Sequence, residues 1–518
     1  MNGTSSAVPL LHDYLSESAR RLPEKVALVT ADARLTYAEL DRRANALAAT
    51  FVRRGVARGD RVLVCADNGP EAVIAFWAAL KASAVVSMIN PQTKTDKLAY
   101  LLADSGAAAL VTQGRLAPVV SGAVVRAPDL HALVVSGEFR GDSAHADVIA
   151  WDEAVTHDPG GPPARRAIDV DLAAIIYTSG STGDAKGVML THRNMLTAAS
   201  SITTYLENRE DDVILGALPL AFDYGLYQMI MAFKMGARLV LERSFAYPAD
   251  VLGRVVSEGV TGFPGVPTMF ALLAELDSLS SYDFSKIRYV TNTAAALPVK
   301  HIMMLVRLFP QARIYSMYGL TECKRCTYLP PDDLDRKPTS VGVAIPNTEL
   351  WIVDENDRRL GRGEVGQLVI RGATVMAGYW RKPEETDKKL RPGPLPGERV
   401  LYTGDYCRLD DDGYLYFVGR MDDIIKSRGE KVAPKEVESA IVDVVGVKEA
   451  AVIGVPDALL GQAVKAFVVL ERGAALGAKD LERECQRRLE SFMVPKQIVF
   501  VDELPKTATG KINKQALV

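Results

Sequence analysis

The chain has 518 residues, of which 48% are hydrophobic and 24% charged, with a formal net charge of −3. This length exceeds one hydrophobic core, so at least two domains are expected, and the charge balance argues against a nucleic-acid or anionic-membrane surface. Five cysteines do not make a disulfide framework, which favours a reducing, cytoplasmic location.

Targeting signals and membrane spans are not evident in the sequence. The segment from Met1 to Arg21 lacks a basic stretch followed by an apolar core, so it is not a signal peptide. The most apolar stretch, Ala72 to Asn90, is interrupted by Lys81. It therefore predicts a buried helix followed by a strand rather than a membrane span.

Short apolar runs alternate with helical patterns through the first two thirds of the chain. Helices are predicted at Tyr37–Arg54, Glu71–Lys81 and Thr268–Glu275. Strands are predicted at Arg61–Cys65, Ala108–Thr112, Leu133–Ser136, Ala173–Tyr177, Arg238–Leu241, Arg288–Asn292 and Arg313–Ser316. The alternation predicts an α/β fold with layered, largely parallel sheets, and a Pro/Gly-rich linker at residues 157–163 separates two such subdomains.

The segment 175–192 carries the clearest chemical signal. A strand end, Ile175 to Tyr177, is followed by glycines and hydroxyls, and Thr191 is positioned to cap the next helix. Converging backbone amides, hydroxyls and a lysine suit a phosphate, although the spacing is not that of a Walker A loop and a surface turn is the alternative. The candidate phosphate-binding residues are Thr178, Ser179, Gly180, Ser181, Thr182, Gly183, Lys186 and Gly187.

Beyond Pro346 the pattern of predicted strands and helices changes twice. Closely spaced strands at Glu349–Asp354, Gln367–Arg371 and Tyr414–Val418 predict a β-rich subdomain. After Gly419, a β-α-β-β-α-β-like order predicts a small separate α+β domain, with helices at Pro434–Val444 and Lys479–Leu489 and strands at Ala450–Val455, Ala466–Leu470 and Ile498–Val501. We therefore expect a large domain at 1–419, a hinge at 420–423 and a small domain at 424–518.

Five motifs occur in an order that resembles the adenylate-forming superfamily, which contains acyl-CoA synthetases, peptide-synthetase adenylation domains and firefly luciferase. They are the glycine-rich loop and the segments at 318–322, 402–405, 419–423 and 505–511. The resemblance spans nearly the whole chain. It implies ATP and Mg²⁺ as cofactors, conversion of a carboxylate and ATP to an acyl-adenylate and pyrophosphate, and a small mobile C-terminal domain.

The same resemblance implies a role for each matching residue. Lys186 and its loop would cradle the β- and γ-phosphates, Thr321 and Glu322 would serve magnesium and the α-phosphate, and Lys511 would bridge the attacking carboxylate and the α-phosphate. Further nucleotide contacts are implied for Tyr318, Gly319, Asp405 (ribose hydroxyls) and Arg420, a hinge for Asp422 and a thiol tunnel for Gly429.

Two segments depart from the family pattern. Asp184 and Ala185 precede Lys186, where relatives carry a proline, and this change is expected to reduce rigidity only. The segment at 292–298 lacks the usual glycine pair, so the adenine contacts around Thr293 and Ala294 are the weakest part of the resemblance.

The acyl pocket is expected between two segments. Asp223 follows Phe222 as in amino-acid-activating members, where the aspartate pairs with a substrate amine; the alternative is a helix cap or an internal ion pair. Arg325 either binds a substrate carboxylate or pairs with a neighbouring acid, and the Cys323–Cys326 pair is not a zinc site because no second ligand pair lies nearby. The remaining pocket candidates are Tyr224, Tyr227, Ala295, Met317 and Cys326.

The chain continues for few residues after Lys511, so we expect the acceptor to be a separate molecule. Coenzyme A or a separate carrier protein would accept the acyl group of a carboxylic acid or an amino acid. Two alternatives remain open: an amide synthetase that passes the adenylate to an amine, and a non-catalytic nucleotide-binding scaffold. The presence of Glu322, Asp405, Arg420 and Lys511 argues against the scaffold.

Replacing Lys511 by alanine is expected to abolish adenylate formation, because the substitution removes the charge shared by two reacting anions. Acyl transfer from a supplied acyl-adenylate should remain largely intact. The two half-reactions are measured separately, and adenylate formation at a near wild-type rate would contradict the assignment.

Overall fold

The computed structural model describes residues 9–158, 160–178, 185–276, 279–293, 297–427, 430–457, 461–507 and 512–517. The helices are α1 Asp13–Arg21, α2 Tyr37–Arg53, α3 Pro70–Lys81, α4 Thr95–Ser105, α5 Ala117–Val124, α6 Trp151–Thr156, α7 His192–Tyr205, α8 Asp223–Met235, α9 Pro248–Glu258, α10 Pro267–Ala274, α11 Val299–Leu308, α12 Pro383–Lys389, α13 Pro434–Val442 and α14 Ala478–Arg488. Within these ranges no helix is long and apolar enough to cross a bilayer.

The strands form four sheets. Those of the first half are β1 Val26–Val29, β2 Arg34–Thr36, β3 Arg61–Cys65, β4 Val85–Ile89, β5 Ala107–Gln113, β6 Ala132–Ser136, β7 Asp147–Ala150, β8 Leu172–Thr178, β9 Lys186–Thr191, β10 Val213–Gly216, β11 Arg238–Leu241 and β12 Gly262–Gly265. Those of the second half are β13 Tyr289–Asn292, β14 Arg313–Leu320, β15 Lys324–Tyr328, β16 Val343–Ala344, β17 Thr348–Val353, β18 Val365–Gly372, β19 Gly378–Tyr379, β20 Leu390–Pro392, β21 Arg399–Leu409, β22 Leu415–Arg420, β23 Ile425–Ser427, β24 Glu430–Val432, β25 Val447–Asp457, β26 Gly461–Leu470 and β27 Gln497–Phe500.

Two large sheets share one hydrophobic core. One has the order β19-β9-β8-β4-β3-β5-β6-β7 and the other β16-β15-β14-β13-β12-β10-β11-β1-β2, and most of their neighbouring strands are parallel. Helices α2, α3 and α8 carry much of the core between them. Trp77 of α3 stacks on Phe233 of α8 with ring centroids 5.7 Å apart, which fixes these helices against each other.

The last third of the chain forms two further units. A β-rich sheet has the order β17-β18-β21-β20, with β22 paired to β21. The C-terminal sheet, β24-β23-β26-β25 with β27 on β26, packs with α13 and α14 around its own core. The Nζ of Lys300 donates to the carbonyl oxygen of Val447 at 3.1 Å, and Lys448 pairs with Glu275. The expected α/β fold with a β-rich subdomain and a small α+β domain is confirmed.

The predicted helices and strands are found, but two expectations are wrong. The linker at 157–163 does not separate two subdomains, because β8, which follows it, joins the same sheet as β3 to β7 and pairs with β4. The stretch from Ala72 to Asn90 is helix α3 and strand β4, and Thr191 caps α7 by accepting from the backbone N–H of Asn194. The segment after the glycine-rich loop, however, is strand β9 and not the direct entry to a helix. It pairs with β8 in antiparallel register, so the loop connects a β-hairpin, and Lys186 and Gly187 begin a strand.

Asn68 ties the two large sheets together beside the expected acyl pocket. Its side-chain nitrogen donates to the carbonyl oxygens of Leu218 (3.0 Å) and Glu242 (2.9 Å), and its oxygen accepts from the backbone N–H of Leu220 at 2.9 Å. The segment from Leu218 to Leu220 leads directly into α8. This buried amide therefore fixes the backbone segment that precedes α8.

Asn68→Ala is expected to lower the unfolding free energy by about 1–3 kcal/mol, because buried backbone groups lose their partners. The exposed Asn356→Ala is the matched control. Urea unfolding of the wild type and both variants measures the change. Equal unfolding midpoints for Asn68→Ala and Asn356→Ala would contradict the expectation.

Candidate active site

A buried carboxylate marks one end of the site. Asp405 lies inside β21 and is 2% exposed. The Tyr318 hydroxyl of β14 donates to its Oδ2 at 2.5 Å, and Nε of Arg420, its partner across β21 and β22, lies 3.5 Å from Oδ1. Burial raises the pKa of Asp405, while Tyr318 and Arg420 lower it. The result is a fixed acceptor for hydroxyl groups.

A second carboxylate, Glu322, lies in the turn between β14 and β15. The Tyr379 hydroxyl donates to its Oε1 at 2.8 Å, and its carbonyl oxygen accepts from the backbone N–H of Met376 at 2.7 Å. No residue that the structure describes donates to Oε2. Burial, and then the nearby Glu322, raise the pKa of Tyr379. One carboxylate oxygen is thus held in place while the other suits a hard cation such as magnesium.

Lys186 reaches the same tyrosine from the glycine-rich hairpin. Its Nζ lies 5.7 Å from the Tyr379 ring centroid and 2.6 Å from Oε2 of Glu385 in α12. Hydrogen bonding to Lys186, and next to Lys388, lowers the pKa of Glu385 to about 2. Tyr379 therefore contacts both the hairpin lysine and Glu322.

The acyl side is built on the first turns of α8. The helix begins at Asp223 itself, and Phe222 precedes it without a side-chain cap, so the alternative that Asp223 caps this helix is wrong. Asp223 is half-buried and forms no ion pair with a described residue. The Tyr224 hydroxyl bonds to Oγ1 of Thr291 at 2.6 Å, and burial raises the pKa of Tyr224 to about 12.

Two consecutive cations of β15 pack on the same helix. The Nζ of Lys324 lies 5.3 Å from the Tyr227 ring centroid, and the Arg325 guanidinium carbon lies 4.7 Å from that of Tyr224. Burial lowers the pKa of Lys324 to about 8, although Asp223 opposes this shift. The expected pairing of Arg325 with a neighbouring acid is not found among the described residues; its Nη1 instead approaches the Tyr205 hydroxyl at 3.4 Å.

The remaining candidates have varied placements. Thr178 ends β8 with its hydroxyl 3.4 Å from the Lys186 carbonyl oxygen, and Thr321 lies in the turn with Glu322. Gly319 is required because an added Cβ would lie 2.0 Å from the Lys324 carbonyl oxygen. Asp422 is exposed in a short turn after β22. The candidates that lie outside the described residues are Ser179, Gly180, Ser181, Thr182, Gly183, Ala294, Ala295, Gly429 and Lys511.

Three residues with sulfur-containing side chains, Met317, Cys323 and Cys326, lie near the expected acyl pocket. The Met317 sulfur accepts from the Tyr205 hydroxyl at 3.1 Å. Cys323 and Cys326 are fully buried, and burial raises the pKa of Cys323 well above its ordinary value. No cluster of metal ligands occurs among the described residues.

Sequence reasoning missed three residues of the site. Two of them, Tyr379 and Glu385, lie within the stretch 378–385, which carries aromatic, basic and acidic residues in close succession. The third is Lys324, which lies between Cys323 and Cys326. The sequence signal for Lys324 is a lysine only two residues after Glu322 of the Thr-Glu motif.

Sequence comparison places the chain among known enzymes. The model of the family described as AMP-binding enzyme matches residues 15–380, and that of the AMP-binding enzyme C-terminal domain matches residues 436–511. The chain is 32% identical to a long-chain-fatty-acid–CoA ligase of Bacillus subtilis (strain 168), covering 98% of this chain and 94% of the relative. It is 30% identical to a part of tyrocidine synthase 3 of Brevibacillus parabrevis, covering 98% of this chain and 8% of that protein.

Solved structures show the same fold. The anthranilate CoA ligase AuaEII, in complex with anthranoyl-AMP, matches with a TM-score of 0.89 and 28% identity over 98% of this chain and 96% of the other. The amide bond synthetase McbA from Marinactinospora thermotolerans matches with a TM-score of 0.87 and 25% identity over 98% and 99% of the two chains.

Asp405→Asn is expected to weaken ATP binding by at least about tenfold, because an ionised acceptor forms stronger hydrogen bonds than an amide. Equilibrium titration with ATP measures the change. The exposed Asp332→Asn serves as the matched control. If both variants bind ATP as tightly as the wild type, Asp405 is not a nucleotide contact.

Proposed function

The chain belongs to the AMP-binding enzyme family and is an AMP-forming acid–thiol ligase, and we propose that Asp405, Lys186 and Glu322 hold its ATP while a carboxylic acid is adenylated beside α8. The observation that carries this assignment is the position of Tyr379. Its ring contacts the Lys186 ammonium and its hydroxyl holds Glu322. Tyr379 thereby holds both the proposed phosphate-binding lysine and the proposed metal-binding carboxylate.

The first step is an in-line substitution at the α-phosphorus. A carboxylate oxygen of the acid forms a bond to phosphorus while the bond to the pyrophosphate oxygen breaks, which gives an acyl-adenylate and pyrophosphate. In this proposal Asp405 accepts hydrogen bonds from the ribose hydroxyls and so fixes the nucleotide. Lys186 leaves Glu385 to meet the departing phosphates, since an anion of higher charge competes for its ammonium.

Glu322 is the residue that fits magnesium. A carboxylate with one oxygen fixed by Tyr379 and the other undonated matches the oxygen ligands that this ion prefers. Magnesium, when bound, would neutralise charge on the phosphates. Thr321, in the same turn, is proposed to serve the α-phosphate, and Lys511 is proposed to reach it from the C-terminal domain.

The second step transfers the acyl group. A thiol sulfur bonds to the carbonyl carbon, the thiol proton is lost, and AMP leaves. Coenzyme A and the phosphopantetheine arm of a carrier protein offer the same thiol, with Asp422 as the proposed hinge and Gly429 beside the proposed thiol tunnel. We place the enzyme in the cytoplasm, where its five free cysteines would stay reduced.

Carboxylate-dependent exchange of pyrophosphate into ATP tests the first step. A panel of amino acids, short mono- and dicarboxylic acids, aryl acids and fatty acids is expected to give exchange with one class. Glu322→Gln should lower that exchange by about a hundredfold, the scale seen when a group that stabilises transition-state charge is removed. The exposed Glu384→Gln is the matched control. Exchange that needs no acid, or that Glu322→Gln leaves intact, contradicts the proposal.

A further inference from the structure

Strand β15 begins with an unusual backbone. Lys324 has a φ of 61°, in the left-handed region that residues with a side chain rarely adopt. The pairing of β14 with β15 shifts register just beyond it, between Arg325 and Thr327. Successive side chains of a regular strand face opposite sides. Here Lys324 and Arg325 both pack on the first turns of α8, against Tyr227 and Tyr224.

Both cations are almost completely buried. Lys324 is 3% exposed and Arg325 is 5% exposed. The Lys324 Nζ and the Arg325 Nη2 have no hydrogen-bond partner among the described residues, and the same holds for the Tyr227 hydroxyl. A buried ammonium without a partner is strongly destabilising, so folds retain one where a ligand uses it.

The two buried cations outnumber the carboxylates that are free to balance them. Asp223 lies within electrostatic range of both Lys324 and Arg325, but it forms no ion pair with either. Glu322 is also near Lys324, yet its carboxylate is held by Tyr379 and is proposed to serve magnesium. Two cations therefore face one uncommitted carboxylate.

We propose that Lys324, supported by Arg325, binds a second carboxylate on the acid substrate, so that the enzyme activates short dicarboxylic acids. The reacting carboxylate would point to the α-phosphate that Thr321 is proposed to serve, and the distal one would enter between β15 and α8. This inference rests on the proposed adenylation and deepens it. The position of Lys324 only two residues after Glu322 favours a short chain between the two carboxylates.

The same charges argue against a substrate that offers only an amine to Asp223. Its ammonium would approach two buried cations, and like charges in a poorly solvated site repel strongly. An acidic amino acid is compatible with the site, because its side-chain carboxylate would meet Lys324 while Asp223 meets its amine. The feature that the site requires is the second carboxylate.

Exchange assays with malonate, succinate, glutarate, aspartate, butyrate, benzoate and alanine test the proposal. The wild type is expected to prefer acids with two carboxylates. Lys324→Met should lower kcat/KM for the best of these by about tenfold to a hundredfold, the effect of losing a hydrogen bond to a charged group. The change for monocarboxylates should be small or favourable, and Lys324→Arg should restore part of the loss.

Lys234→Met is the matched control. Lys234 lies in α8, about 16 Å along the helix axis from Asp223. Its Nζ contacts the Thr203 hydroxyl and the Tyr14 ring. ATP titration of each variant verifies that the nucleotide site is intact. A wild type that prefers monocarboxylates or alanine, or a Lys324→Met variant with unchanged acid preference, overturns the proposal while adenylation itself stands. Absence of exchange with every acid would instead refute the proposed function, and the inference with it.

Discussion

The hydrogen bond between the Tyr318 hydroxyl and the Asp405 carboxylate joins the parts of the molecule from which the site is made. Tyr318 belongs to a large mixed sheet, Asp405 to the β-rich sheet, and Arg420 to the strand that ends before the proposed hinge. A carboxylate that is 2% exposed needs donors on more than one side. The site therefore exists only where these elements meet, and the nucleotide is expected at that junction.

A second constraint operates through Tyr379. Its strand, β19, pairs with β9, and the backbone N–H of Trp380 donates to the Gly187 carbonyl oxygen at 2.8 Å. The tyrosine is thereby fixed beside the hairpin that carries Lys186. Because its hydroxyl also holds Glu322, movement of the hairpin and of the turn between β14 and β15 is coupled through one side chain. The Glu385 carboxylate pairs with the Lys186 ammonium at 2.6 Å.

The sequence predicted much of the fold because the signals were local. Strand β3 has the expected bounds because Arg61–Cys65 is a short apolar run, and α7 follows its capping threonine. Strand β9 was missed because a Lys-Gly start is a poor strand signal and its pairing with β8 decides the structure. The contact between Lys186 and Glu385 joins residues 199 positions apart, which no local pattern reveals. The left-handed backbone at Lys324 is likewise not signalled by its residue type, since residues with a side chain rarely adopt it.

The account rests on attack by an acid oxygen at the α-phosphorus, and isotope transfer tests that step directly. The enzyme is given ATP, an acceptor thiol and its preferred acid labelled with ¹⁸O in the carboxyl group, and the AMP is examined by mass spectrometry. Transfer of one labelled oxygen from the acid to AMP is the predicted result, since the carboxylate oxygen stays on phosphorus when the thioester forms. Unlabelled AMP from labelled acid would mean that water or another group attacks the nucleotide, and would contradict the adenylate mechanism.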